Sequence, residues 1–316
     1  MKVAILGAGA IGAYVGAALH RGGTEVHLVA RGPHLAAIRE RGVEVLSPRG
    51  DWVARTPATD DPAEIGPVDV VFLGLKANSY ASCGPLIEPL LHDKTAVVAA
   101  QNGIPWWYFH GLPGPYEGRR IESVDPGGEV TRVLSLDRAI GCVVYCSTEL
   151  EGPGLVRHLE GTRFSIGEPD GVRSDRCLEF SEAMVAGGLK CPVEEDIRND
   201  IWIKLLGNAA FNPISALARA TMVEIAAAVG STPDISVDKR IDGAERVGEH
   251  KTSMLQDLEK DKPLELDVIL AAVVELADLT ATKAPTLRAV HAVTDLLSTK
   301  VGMPPIAHAP TAARAV

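Results

Sequence analysis

Hydrophobic positions in the first half of the chain come in short unbroken runs, and in the second half at helical spacing. KVAIL (2–6), EVHLVA (25–30), VDVVFLGLK (68–76) and TAVVAAQNG (95–103) are each rich in β-branched and aliphatic side chains, which predicts buried strands. Between them, the Ala-rich stretch to about His20 and residues 78–91 carry helical patterns. Alternation of this kind predicts a mostly parallel, doubly wound sheet. AIGCVVYCS (139–147) and RFSIGEP (163–169) read as closing strands and 173–188 as a helix. From about residue 196 strand signals vanish, so an all-α C-terminal domain follows. The boundary is expected near Pro192, before the acidic Glu194, Glu195 and Asp196, dividing the chain into 1–192 and 193–316.

The first run passes directly into GAGAIG, so a GxGxxG turn sits between a strand and a helix, the context that gives the motif its meaning. Gly7 permits the tight turn, Gly9 lets the backbone approach a pyrophosphate, and Gly12 lets helix and strand pack closely. Gly7, Ala8, Gly9, Ala10, Ile11 and Gly12 together make a candidate dinucleotide cradle, with helix N-terminal N–H groups for the phosphates. The sheet is therefore expected to be Rossmann-type; the alternative is a merely glycine-rich turn. At the end of the second strand an NAD enzyme usually places an acid on the ribose 2′-hydroxyl, whereas this chain has Ala30-Arg31. A guanidinium suits a 2′-phosphate, which favours NADP(H) over NAD; otherwise Arg31 is a solvated loop arginine. Lys76 and Asn102 fall at the carboxyl ends of the next two strands, where ligands of such sheets bind. Lys76 is a candidate for a cofactor phosphate or ribose, and Asn102 for ribose or substrate; a surface lysine and an ordinary Asn-Gly turn are the plain alternatives. Residues 104–130, with Trp106 and Trp107, form a long excursion, either a binding lid or a loop that its aromatic pair anchors.

In the second half, IWIKLLGNAAFNP (201–213) reads as buried helix except for Lys204, Asn208 and Asn212. Recurring every fourth residue, they form one polar stripe, and each would cost a few kcal/mol in an apolar interior unless hydrogen-bonded. The stripe is expected to face a cleft and a ligand; a structural network with acids such as Glu265 is the alternative. Pro213 should kink this helix. Ser253-Met254-Leu255-Gln256 reads as an S-x-x-Q capping box, with Ser253 either cap alone or also an anion contact. Glu265, after Pro263, reads as an exposed first-turn acid of a helix over 264–279.

A length of 316 residues favours two domains. The net charge of −10 and pI of about 5.4 argue against nucleic acid and anionic membrane as partners and leave small molecules. Cys83, Cys142, Cys146, Cys177 and Cys191 are odd in number and scattered, which suggests neither a disulfide framework nor a metal site and fits a reducing cytoplasm. No run approaches membrane-spanning length, and the glycine-bearing start has no secretory pattern.

Taken together, these segments resemble the ketopantoate reductase (2-dehydropantoate 2-reductase) family over nearly the whole chain. The likeness rests on Gly7 to Gly12, Lys76 in LGLKA, Asn102 in QNG, Trp202-x-Lys204-Leu205-x-x-Asn208-x-x-x-Asn212-Pro213, and His250 to Asp257 (HKTSMLQD) with Glu265 following. It implies reduction of 2-dehydropantoate by NADPH on the way to pantothenate and coenzyme A, and leaves a homodimer open. The implied roles fall on Lys204 as catalytic proton donor, on Glu265 as catalytic residue and beside the cofactor, on Asn208, Asn212 and Ser253 as substrate contacts, and on Lys76 and Asn102 around the cofactor. Charge developing on a reduced carbonyl oxygen suits a partly desolvated ammonium, and carboxamides suit hydroxyl and carbonyl oxygens. Between TMVEI and VDKRI the chain has only AAAVGSTPDIS (226–236), roughly one helix shorter than is usual in the family, and Thr221-Met222 stands where a further contact asparagine is expected. Two rival functions are a related dehydrogenase acting on another 2-keto acid and a non-enzymatic NADP sensor.

Overall fold

Runs of β-branched residues become strands with almost no exposed face: in the computed structural model, which describes residues 1–228 and 251–300, Val3–Leu6, Val70–Leu73 and Ala96–Ala99 are buried. Along the chain come β1 (Lys2–Leu6), α1 (Ala10–Arg21), β2 (Glu25–Val29), α2 (Gly32–Arg41), β3 (Val43–Leu46), β4 (Trp52–Ala54), β5 (Ala58–Thr59), β6 (Val70–Leu73), α3 (Gly84–Ile87), β7 (Ala96–Ala100), α4 (Glu129–Leu134), β8 (Ala139–Gly152), β9 (Leu155–Gly167) and α5 (Asp175–Ala186). The strands form one sheet in the order β4-β3-β9-β8-β7-β6-β1-β2-β5. Pairing is parallel except between β3 and β4 and between β8 and β9. This is the α/β architecture the sequence predicts.

α1, which follows the glycine turn, is buried from Gly12 to Leu19. Tyr14 stacks on His158 with ring centroids 4.7 Å apart and lies 5.9 Å from Trp52, so the helix is held on both its aliphatic and aromatic sides. Burial, with a contribution from nearby Cys146, pushes the Tyr14 phenol up to about 12 and keeps it neutral.

Three expectations for this half need correction. Residues 78–91 are not one helix but tight 3-10 turns around the single turn of α3, because Pro85 and Pro89 each remove a backbone donor. The closing strands are longer than 139–147 and 163–169: β8 and β9 form one antiparallel ribbon joined at Pro153-Gly154. Residues 43–54, for which the pattern predicted no element, form the β3–β4 hairpin.

The chain divides into two compact units, Met1–Arg120 with Gly127–Ile201, and Ile121–Pro126 with the chain from Trp202 on. The first unit therefore runs past 192: the Glu194 and Ile166 N–H groups bond to the Ile166 and Pro192 carbonyls, and Ile197 is buried. The second unit is helical, with most of α6 (Ile197–Ala218), α7 (Met222–Ala228), α8 (Ser253–Glu259), α9 (Ala272–Leu279) and α10 (Pro285–Lys300). α9 is entered through a π-helical turn over Asp267–Ala271. Pro213 lies inside α6 and does not end it. Residues 229–236 of the shortened segment 226–236, and His250 of the HKTSMLQD stretch, lie outside the described residues.

Among the described residues no helix is long and apolar enough to cross a membrane, and no group of three or more His, Cys, Asp or Glu could hold a metal. All five cysteines are free thiols.

Candidate functional site

The sheet order brings four of the predicted positions to one edge of the first unit. The glycine turn follows β1, Arg31 follows β2, Lys76 follows β6 and Asn102 follows β7. These strands are adjacent and parallel in the order β7-β6-β1-β2, so their carboxyl ends share an edge, with a reversal of strand order at β1.

The glycines of the turn differ in what the fold asks of them. Gly7 has φ +94°, and a Cβ there would meet Leu75 Cδ2 at 2.6 Å. At Gly12 an added Cβ would lie 2.2 Å from the Gly7 carbonyl oxygen, and at Gly74, at the end of β6, 2.3 Å from the same atom. Gly7, Gly12 and Gly74 are thus demanded by the fold. Gly9 is not: its φ of −70° suits any residue, and a Cβ would find nothing nearer than the Gly74 carbonyl oxygen at 3.8 Å. Gly9 is also the N-cap of α1 without a side-chain cap, and the first turn holds no acid. The N–H groups of that turn, which have no partner inside the helix, lie beside an open glycine and fit a pyrophosphate.

Arg31 is exposed and is the N-cap residue of α2. Ala8 N–H donates to the Val29 carbonyl at 3.1 Å, which ties the glycine turn to the end of β2 just before Arg31. Lys76 is half-buried and opens the 3-10 turn Ala77–Ser79. Asn102 sits between Gln101 and Gly103, whose φ is +75°. The Gln101 amide donates to the Ile104 carbonyl at 3.2 Å and fixes this turn.

The long excursion after β7 is anchored rather than free. Trp106, Trp107 and Phe109 are buried, and the Arg198 guanidinium donates to the carbonyls of Tyr108 at 2.7 Å and His110 at 2.6 Å while lying over the Trp107 ring. Burial lowers the pKa of Arg198. The stretch Ile121–Pro126 belongs to the second unit, where the Glu275 carboxylate accepts from the N–H groups of Glu122 and Ser123 and from the Ser123 hydroxyl at 2.8–2.9 Å.

In the second unit Lys204, Asn208 and Asn212 share one face of α6, as their spacing requires. Lys204 and Asn208 are half-buried, and Asn212 is 5% exposed. Its Nδ2 finds no acceptor among the described residues, an expense that an added oxygen would remove. The helix is not apolar and buried elsewhere, as expected from sequence: Leu206 is 69% exposed and Ile214 39%. Trp202, Leu205, Ala210 and Ile214 line an apolar cavity of about 380 Å³ with Val273 and Leu287.

Ser253 and Glu265 are placed differently from the prediction. The cap of α8 is Thr252, whose hydroxyl accepts from Leu255 N–H at 3.3 Å, while the Gln256 amide turns back to the Lys251 carbonyl. The cap lies one residue earlier than expected and forms no capping box, since Leu255 stands three residues beyond it, so Ser253 is an exposed first-turn hydroxyl with no capping duty. Glu265 is 8% exposed, not an exposed first-turn acid, because Leu264 and Leu266 on either side are buried and draw it inward.

Sequence reasoning missed Gly74, for which a glycine directly after the run VVFL was a signal, and His34, for which there was none. His34 Nε2 is 2.7 Å from the Ala8 carbonyl oxygen in the glycine turn.

The comparisons with known proteins agree with this architecture. The family model described as ketopantoate reductase PanE/ApbA matches residues 3–106, and the C-terminal model of the same family matches 222–298. A 2-dehydropantoate 2-reductase of Mesorhizobium japonicum is 46% identical over 96% of this chain and 99% of its own length. Among solved structures, a candidate ketopantoate reductase from Ralstonia solanacearum MolK2 superposes with a TM-score of 0.85 at 33% identity, covering 96% of this chain and 99% of that one. A 2-dehydropantoate 2-reductase from Geobacter metallireducens superposes with a TM-score of 0.77 at 27% identity, covering 94% and 100%. With matches across both its units, the chain belongs to the ketopantoate reductase PanE/ApbA family.

Proposed function

We propose that the chain reduces 2-dehydropantoate to pantoate with NADPH, in the route to pantothenate and coenzyme A, in the reducing cytoplasm that its five free thiols suit. The observation that carries the reading is the Lys204–Asn208–Asn212 face, whose most buried member keeps an amide N–H without an acceptor among the described residues, in the same chain as an open glycine turn. A polar substrate oxygen would satisfy that amide.

The first unit holds the dinucleotide. Gly9 leaves room for the pyrophosphate against the N-terminal N–H groups of α1, Arg31 meets the 2′-phosphate, and Lys76 and Asn102 border the cofactor from the neighbouring strand ends. When bound, NADPH supplies the hydride that the keto carbon requires. The protein supplies everything else: the Lys204 ammonium stabilises negative charge on the carbonyl oxygen and donates its proton, and Asn208, Asn212 and Ser253 orient the hydroxyl and carboxylate oxygens. Glu265, which is buried, joins this machinery on the strength of the family resemblance and borders the cofactor, while the proton comes from Lys204.

Support for the substrate comes from the family and from the 46% identical relative; support for NADP over NAD comes from Arg31 standing where an acid would exclude a 2′-phosphate. Steady-state oxidation of NADPH and of NADH with 2-dehydropantoate tests both. Turnover favouring NADPH is the expected result. Binding of NADPH without turnover of 2-dehydropantoate would overturn the substrate, and equal use of NADH would overturn the role of Arg31.

A further inference from the structure

His34 lies in the first turn of α2, three residues beyond Arg31, and both of its ring nitrogens are engaged. The Gly154 N–H lies 2.9 Å from Nδ1, and a backbone N–H can only donate, so Nδ1 is the unprotonated acceptor. The ring is therefore the Nε2–H tautomer, and that N–H donates to the Ala8 carbonyl oxygen at 2.7 Å.

The two partners differ in what they are fixed to. Gly154 belongs to the turn between β8 and β9, and that turn is held by further bonds: the Glu44 N–H of β3 donates to the Gly154 carbonyl at 2.8 Å, and Arg41 at the end of α2 donates to the Pro153 carbonyl. At Gly154, where φ is +74°, an added Cβ would meet Ala37 Cβ of α2 at 3.1 Å, so helix and turn are in close contact. Ala8 is the second residue of the glycine turn. Its N–H is bonded to the Val29 carbonyl and its carbonyl to His34, so both polar groups flanking this residue are tied to the β2–α2 connection. Ala8 carries no side chain able to fix its orientation, and Gly7 and Gly9 on either side lack a Cβ that would restrict the backbone.

We infer that His34 is the positioning residue of the cofactor turn: it clamps the Ala8 carbonyl to the rigid β8–β9 turn and thereby holds the Gly7–Gly9 backbone, and Arg31 on the same α2 start, in the arrangement that receives the phosphates of the dinucleotide. This rests on the cofactor reading proposed above. His34 touches neither substrate nor reacting atoms, so its contribution belongs to cofactor affinity and not to the chemical step. A glutamine can put its amide N–H at the place of Nε2 and keep the bond to Ala8 while losing the acceptor for Gly154; a leucine preserves neither.

The test compares His34→Leu and His34→Gln with the wild-type chain in three measurements: direct NADPH binding by fluorescence titration, kcat with both substrates saturating, and thermal melting. Loss of two neutral hydrogen bonds predicts an NADPH Kd raised about tenfold in His34→Leu, with kcat at saturation within about twofold of wild type, and an intermediate rise of about threefold in His34→Gln. If His34→Leu does not fold, His34→Asn, whose shorter amide reaches one partner only, should show about threefold weaker binding at unchanged kcat. Equal NADPH affinity in the wild type and in the folded Leu or Asn variant would overturn the inference, as would a fall in kcat and melting temperature without a change in Kd. A wild-type chain that binds no nicotinamide dinucleotide would overturn the cofactor reading itself, which separates that failure from this one.

Discussion

The two regions that carry the proposed function are built by different means. In the first unit the site is backbone: an open glycine, the N–H groups of a helix start and the ends of four parallel strands, with Arg31, Lys76 and Asn102 at its border. In the second unit it is side chains: an ammonium and two carboxamides on one helix face, one amide buried with no acceptor among the described residues. A backbone site binds any ligand that presents the right phosphate geometry, whereas a side-chain site acts on particular atoms. The comparison teaches that affinity for the dinucleotide and turnover of the keto acid should be separable by mutation.

Lys204→Ala should have the largest effect. Removal of a general acid lowers kcat by about 10²–10⁴-fold, roughly 3–5 kcal/mol in the barrier, while the NADPH Kd and melting temperature stay near wild type. A variant that melts much earlier yet keeps near-normal kcat in its folded fraction would make Lys204 structural and erase the distinction between the regions.

Arg31→Ala comes next and sharpens the other side. Loss of a charge-assisted contact should weaken NADPH binding by about 1.5–3 kcal/mol and leave NADH nearly untouched. Parallel titrations of the two cofactors decide it; equal losses would show that Arg31 does not read the 2′-phosphate.

Asn212→Leu sets function against stability. Removing a buried amide that lacks an acceptor should raise stability by about 1 kcal/mol, seen as a melting temperature higher by a few degrees, and raise KM for the keto acid. A destabilised variant would mean that the amide is satisfied within the protein.

The smallest effect is expected from pH. Burial lowers the pKa of His34 below its ordinary 6.5, the bond to Ala8 opposing in part. Its folded pKa lies below its unfolded one, so the stabilisation is fully present above 6.5 and is lost as pH falls through the folded value, when Nδ1 gains a proton facing the Gly154 N–H. NADP⁺ affinity should drop a few-fold over that window beyond the drop seen in His34→Gln. Superimposable profiles would contradict it.

Much of this was legible in the sequence because periodicity and glycine placement report backbone constraints directly. The parallel strands, the turn at Gly7–Gly12 and the Lys204 stripe all follow from spacing. What was not legible depended on tertiary neighbours. Glu265 looked like any surface acid until burial beside Leu264 and Leu266 set it apart, and Ser253 looked like a cap because Thr252, equally able to cap, stands one residue earlier. The β8–β9 ribbon was cut short because polar residues alternate along it, and His158, which the pattern did not single out, is buried beneath Tyr14. Spacing within the motif gave Gly9 and Gly12 different duties, and what a Cβ would meet differs in the same sense: nothing nearer than 3.8 Å at Gly9, against the Gly7 carbonyl oxygen at 2.2 Å at Gly12.

That difference supplies the most direct test of the division between a backbone site and a side-chain site. Gly9→Ala introduces a methyl with no neighbour closer than 3.8 Å and no backbone strain, so the fold should accept it. The measurement is an NADPH titration, without keto acid, of the wild type, Gly9→Ala and Lys204→Ala, each checked by thermal melting. The account predicts that Gly9→Ala melts like wild type and binds NADPH at least about tenfold more weakly, because the methyl stands where the pyrophosphate must approach, while Lys204→Ala binds as wild type does. Wild-type affinity in a folded Gly9→Ala, or a loss in Lys204→Ala as large as that in Gly9→Ala, would contradict it.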